Sequence, residues 1–175
     1  MGRQLRQDGF CGNLEIWPGD AENIAWPHGL DAIVSSSAVQ WFVDFPRFLK
    51  RSKQALKDGG WLAFSHFGPR NLHQIRTLTG VGLDYPESFH LREMLECDYE
   101  IITLKEEEYQ QAFSTPRKVL RHLQQTGVTG VGNACFRWTK KRLQDFETAY
   151  GALYGQGDKV LLTWHIYYVV CKKRF

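Results

Sequence analysis

In DAIVSSSAVQW, residues 31 to 41, an apolar run breaks into three serines, and Gln40 and Trp41 close the segment. Hydroxyls, a carboxamide and an indole at the end of a buried strand are groups that bind a ligand. Two uses fit Ser35, Ser36 and Ser37. They line a crevice where the strand leaves its sheet, or they cap a following helix, as serine commonly does. A second candidate is His165, alone in the apolar stretch VLLTWHIYYVVC, residues 160 to 171. There it is either a satisfied core residue or a catalyst. Cationic residues form the third group. Arg117, Lys118, Arg121 and His122 sit in one short segment, and Lys140, Lys141 and Arg142 open another. Such runs are either a solvated helix face or an electrostatic docking surface. Cys11, Cys97, Cys135 and Cys171 make no metal-ligand spacing, and the six histidines do not cluster. This speaks for reduced thiols and against a structural metal.

Regular elements must position these groups. LEIW, residues 14 to 17, reads as a short strand closed by Pro18 and Gly19. Residues 31 to 35 are apolar without alternation, as in a strand covered on both faces. Residues 44 to 60 read as a helix, with Asp44 as cap, Pro46 in the first turn, and Gly59 and Gly60 as its stop. Its inward stripe is Phe45, Phe48, Leu49, Ser52 and Leu56. WLAFSHF, 61 to 67, is then a buried strand, which gives a right-handed parallel crossover. Helices are expected at 70 to 79 and 88 to 96, a strand from 99, and a helix capped by Thr115 and stopped by Gly127. Another helix starts at Thr139 with Leu143, Phe146, Tyr150 and Leu153 as its stripe. The last strand is 160 to 171. The order of elements predicts one α/β sandwich with a mostly parallel sheet, and ligands then lie beyond the carboxyl ends of the strands.

Length and composition agree. The 175 residues suit a single domain, and 43% hydrophobic residues suffice for a core. The net charge of +3 is too weak to argue for nucleic acid. No apolar run approaches the roughly 20 residues that cross a bilayer, and no signal pattern opens the chain. A cytoplasmic protein without membrane partners is expected.

Five segments together resemble one family. They are GDAENIAWP (19 to 27), LDAIVSSSAVQW (30 to 41), QALKDGGWLAFSHFGPRNLHQIR (54 to 76), LRHLQQTGVTG (120 to 130) and LLTWHIYYVV (161 to 170). The family is the S-adenosylmethionine-dependent methyltransferases, specifically the malonyl-acyl-carrier-protein O-methyltransferases of biotin synthesis. The resemblance implies a class I, Rossmann-like fold with an antiparallel last strand. It also implies a helical substrate-cap insertion at 114 to 155 within a single domain spanning 1 to 175. Members begin with a helix, then a strand ending in DxGxGxG, then a second strand ending in an acidic residue; neither strand occurs here. MGRQLRQ looks like the end of the helix that follows that second strand. An N-terminally truncated enzyme is therefore expected, with a gap in its sheet between the strand at 14 to 17 and that at 31 to 35.

The implied reaction moves a methyl group from S-adenosylmethionine to the free carboxylate of malonyl-acyl carrier protein. By match, Asp20 receives the adenine amino group and Ala21 supplies a backbone amide. Ser35 and Ser36 lie along the methionine part. Gln40 and Trp41 close over the methyl group, with Trp41 as a cation–π partner for the sulfonium. Trp41, Trp164, Tyr167 and Tyr168 are expected as aromatic walls, and His165 as the group orienting the malonyl end. Arg70, Arg76 and Arg117 are candidates for its carboxylate, and Arg117 and Arg121 for docking the acidic carrier. Two other readings stand beside this one: an inactive fragment or carrier-binding module, and a methyltransferase of another small carboxylic acid.

Overall fold

The computed structural model describes residues 15–127 and 136–175. Its sheet has the order β1-β2-β5-β3, with β4 paired to β5. The strands are β1 (Leu30–Ser35), β2 (Leu56–Phe67), β3 (Tyr99–Phe113), β4 (Gly155–Gln156) and β5 (Lys159–Lys173). β1 and β2 pair in parallel, and β5 runs antiparallel to both β2 and β3. β1, β2 and β3 therefore share one direction and the last strand opposes them, as the resemblance implies.

The helices are α1 (Phe45–Ala55), α2 (His73–Thr79), α3 (Ser88–Glu96), α4 (Pro116–Gln125) and α5 (Lys140–Tyr154). Asp44 caps α1 by accepting the Arg47 N–H at 2.8 Å, and Thr115 and Thr139 cap α4 and α5. One core joins α1 and α3 to the sheet through Phe48, Leu49, Leu62, Phe64, Leu91, Leu95 and Val169. A second joins α4 and α5 to the other face through Val119, Leu123, Phe146, Tyr150, Leu162 and Trp164. Leu153, expected in the α5 stripe, is 63% exposed.

Three expectations are corrected. No strand forms at 15 to 17, where Ile16 and Trp17 are half exposed with no strand beside them; Leu14 lies outside the described residues. β1 is not covered on both faces. It stands at the edge of the sheet, Ala32 is exposed, and Val34 is 77% exposed. The gap expected inside the sheet is thus, among the described residues, an open edge. Finally, α1 stops at Ala55, before Gly59 and Gly60. Leu56 is already extended and pairs with Leu30, because its side chain, 3% exposed, belongs to the first core. The two glycines serve a bulge: the register shifts between the Leu30–Leu56 and Ala32–Trp61 pairs, and Gly59 takes φ +73°.

Candidate active site at the carboxyl ends of β1 and β2

The serines cap no helix. Asp44 is the cap of α1, and the 3-10 turn Val39–Trp41 starts at Ala38 with no side-chain cap. Ser37 instead turns back on the sheet with φ +49°, and its N–H donates to Ser65 Oγ at 2.8 Å. That leaves the Ser36 side chain exposed at the end of β1 and Ser35 half-buried. Gln40 is buried at 7% exposure, and its Nε2 donates to the Ser37 carbonyl at 2.6 Å. Its Oε1 is buried with no partner among the described residues. Trp41 follows, half-buried.

The loop at 20 to 26 is tied to the same edge. Asp20 Oδ1 accepts the Glu22 N–H at 3.0 Å and Oδ2 accepts Asn23 Nδ2 at 2.6 Å, so a short turn holds the carboxylate in place. Glu22 reaches across to accept the N–H groups of Val43 and Asp44 at 3.0 and 3.1 Å. Arg51 of α1 donates to the carbonyls of Ala21 (3.0 Å), Glu22 and Ile24, and lies over the Trp26 ring at 4.7 Å. Asp20 and Ala21 are thus fastened to the segment that follows Ser35–Trp41. Sequence reasoning passed over Glu22 and Arg51. The only signal for them was an arginine on the helix and an acidic residue two places beyond Asp20.

Past β2, Gly68–Asn71 wraps around His165. The ring is fully buried, and both nitrogens are engaged: Nδ1 accepts the Arg70 N–H at 3.1 Å, and Nε2 donates to Glu106 at 2.8 Å. The backbone bond fixes the tautomer. Arg70 bridges Glu106 at 2.8 Å and Glu108 at 2.5 Å. Burial raises the Glu106 pKa, but the bonds from Arg70 and His165 outweigh it and leave the carboxyl below its ordinary value. His165 is therefore a positioning group for Arg70, not a free nitrogen awaiting substrate. Glu106 and Glu108 were missed because their partners lie across the sheet, on another strand and a loop.

The remaining predicted residues fall in two places. Tyr167 lies on the same face as His165, two residues on, and is fully buried. Trp164 points to the other face and belongs to the second core, with Nε1 bonded to Gln111 at 2.9 Å. As a core residue it is not a pocket wall. Arg117 is engaged by Glu147 at 2.7 Å, and Arg121 is exposed on α4. Arg76 donates to the Pro69 carbonyl at 2.9 Å, a loop-fastening role. Aromatic contacts join the two parts of the edge: Phe45 packs on His66 at 5.1 Å, and His66 on Tyr85 at 6.0 Å. A separate groove of about 680 Å³ lies at the far end of the strands, between α1 and α3, and includes none of these residues.

A methyltransferase domain model matches residues 2–64. Three relatives are malonyl-[acyl-carrier protein] O-methyltransferases. That of Bacteroides helcogenes is 41% identical over 97% of this chain, that of Prosthecochloris aestuarii 41% over 92%, and that of Haemophilus ducreyi 38% over 86%. Residues 2–64 thus match a methyltransferase domain, and the chain is similar to these enzymes over most of its own length. It spans 62%, 60% and 58% of the lengths of those three relatives. The class I methyltransferase fold is shared with the YcgJ protein of Bacillus subtilis, at TM-score 0.62 and 14% identity over 99% of this chain and 76% of that one. It is also shared with the [4+2]-cyclase SpnF, at TM-score 0.57 and 16% identity over 99% and 60%. At such identities the likeness speaks for fold alone, and a cyclase on this scaffold illustrates why.

Proposed function

We propose that this chain binds S-adenosylmethionine at the carboxyl ends of β1 and β2 and serves methyl transfer to the free carboxylate of malonyl-acyl carrier protein. What supports the reading is that Glu22 and Arg51 fasten the loop carrying Asp20 and Ala21 to the segment that follows Ser35, Ser36, Gln40 and Trp41. The residues present fit the cofactor. Gln40 Oε1 is a buried acceptor without a donor, and a buried acceptor is costly to leave unpaired. Each Asp20 oxygen keeps a lone pair beyond its one internal bond. An amine-bearing cation satisfies such a set.

Asp20 and Ala21 would hold the adenine, Ser35, Ser36 and Gln40 the methionine portion, and Trp41 would give an aromatic face to positive charge. When bound, S-adenosylmethionine supplies an electrophilic methyl on a sulfonium. The acceptor carboxylate is ionised at neutral pH, so no side chain has to remove a proton. The protein's work is then orientation and exclusion of water, to which Phe45, His66 and Tyr85 contribute a packed wall. Arg70 is the cation we assign to the malonyl end, in exchange with Glu106 and Glu108. The helices at 114–155 form the substrate cap. Exposed Lys118, Arg121, Lys140, Lys141 and Arg142 offer the acidic carrier a cationic surface. Cys97 and Cys171 are free thiols, and no helix among the described residues is long and apolar enough to cross a membrane.

The test is calorimetric titration of the chain with S-adenosylmethionine, followed by methyl-ester analysis with malonyl-carrier protein, malonyl-coenzyme A and small free acids. Micromolar cofactor binding and a carrier-dependent product are expected. Affinity no better than millimolar would sink catalysis by this chain, and ester formation on free acids alone would reassign the substrate.

A further inference from the structure

Two buried donors, Tyr167 on the face packed by α1 and α3 and Asn71 in the loop that follows β2, take no part in any bond described above. Asn71 Nδ2 and Tyr167 Oη are shut off from solvent and have no partner among the described residues. Native interiors leave few such groups, and each calls for an explanation. The orientation of Asn71 is set by its other end, since Oδ1 accepts the His165 N–H at 3.3 Å. The free end is therefore the amide donor.

Both groups belong to one neighbourhood. The Tyr167 ring is 5.0 Å from that of His165, and Tyr167 stands opposite His66 in the β2–β5 register. The Tyr85 ring packs on His66 and, at 5.8 Å, on Phe67. Tyr85 approaches Asn71 and Ser88 approaches Tyr167, both without hydrogen-bond geometry. Burial above all, then Glu106 and Glu87, pushes the Tyr167 phenol up to about 12, so at neutral pH it carries its proton. The first turn of α3 beside it has no side-chain cap. The unmet demand here is for an acceptor.

Charge decides which acceptor. Glu87 and Glu106 both act on Tyr167, against Arg70 alone. A carboxylate placed here would meet two like charges, whereas a neutral carbonyl oxygen accepts two hydrogen bonds without that cost. We propose that Asn71 and Tyr167 together hold the carbonyl oxygen of an acyl thioester, and so select thioesters over chains that lack it. This deepens the methyltransferase reading above and rests on it. The segment at 80–87, held by Arg76 to the Leu83 carbonyl, brings Tyr85 against His66 and Phe67 beside the pair, and entry requires it to move aside. A site with buried donors rejects an analogue that cannot accept from them.

The probes are the malonyl thioester of N-acetylcysteamine and its thioether counterpart, in which a methylene replaces the thioester carbonyl. Each is titrated into the 175-residue chain with S-adenosylhomocysteine present, for the unmodified protein, Tyr167→Phe and Asn71→Asp. Asn71→Asp keeps the acceptor for the His165 N–H and loses the amide donor. The unmodified chain is expected to bind the thioester at least tenfold tighter than the thioether. Each variant is expected to bring the thioester down toward the thioether while leaving the thioether unchanged. Equal affinity for the two probes in the unmodified chain, or equal loss of both in Tyr167→Phe, overturns the proposal. If a variant does not fold, the comparison of probes on the unmodified chain decides alone. S-adenosylhomocysteine binding with no thioester preference defeats the carbonyl site but leaves the methyltransferase reading standing; loss of both defeats both.

Discussion

A Cβ on residue 68 would lie 2.3 Å from His165 Cε1, so the absence of a side chain at Gly68 is what allows the imidazole its place. The Gly68 N–H also donates to the His165 carbonyl at 2.9 Å, closing the loop on the strand. Gly68→Ala is expected to destabilise by about 1–3 kcal/mol, the usual range for forcing an extra carbon into a packed site. Urea denaturation measures it, and an unchanged midpoint would refute the fit. His165→Ala in the Gly68→Ala background should recover part of the loss, because the clash is with the ring.

Arg51 fastens the loop that carries Asp20 without joining either core. Arg51→Ala is expected to weaken S-adenosylhomocysteine binding at least tenfold while changing the unfolding midpoint little. Calorimetry and denaturation on the same sample separate the two. Arg51→Lys should recover little, since one ammonium cannot serve three carbonyls in fixed directions.

His66 gives the fold a pH dependence with a definite sign. Burial pulls its pKa below the ordinary value, and the bond to the Phe67 carbonyl offsets this only in part. The unfolded chain, titrating at about 6.5, takes up the proton first as pH falls. The contribution is therefore complete above about pH 6.5 and is lost as pH falls through the folded-state pKa. Denaturation at pH 7.5, 6.5 and 5.5 should show this decline, and His66→Leu should flatten its share. A variant that declines as steeply would show that other groups are responsible.

Asp44 caps α1 at a point where the chain has just left the candidate site. Asp44→Ala is expected to cost about 1 kcal/mol, within the range for lost N-caps. Asp44→Ser should restore most of it. Thermal unfolding of the three proteins checks both statements.

What was legible in the sequence was the local chemistry. Caps at Asp44, Thr115 and Thr139 bond a backbone N–H three residues away, so the residue type and the next few positions suffice to find them. The β-α-β order was legible for the same reason. What was not legible depended on partners distant in sequence. Whether β1 is covered on both faces is decided by what packs against it, and an apolar run reads alike at an edge and at a centre. Leu56 looked like the last turn of a helix because only its pairing with Leu30 makes it a strand. At the site, the serine cluster was found from its break with an apolar run. The Arg70–Glu106–His165 set needs residues drawn from a loop and two strands, and no short motif announces it.

β5 is the fifth strand along the chain, yet it lies between β2 and β3 and bonds to both. During synthesis β3 therefore leaves the ribosome with no neighbour to zip against. The α4–α5 layer, whose core takes in Val160, Leu162 and Trp164, must wait with much of its apolar side uncovered until Lys159–Lys173 emerges. A nascent chain of this design leaves β3 open to aggregation until β5 arrives to join β2 and β3.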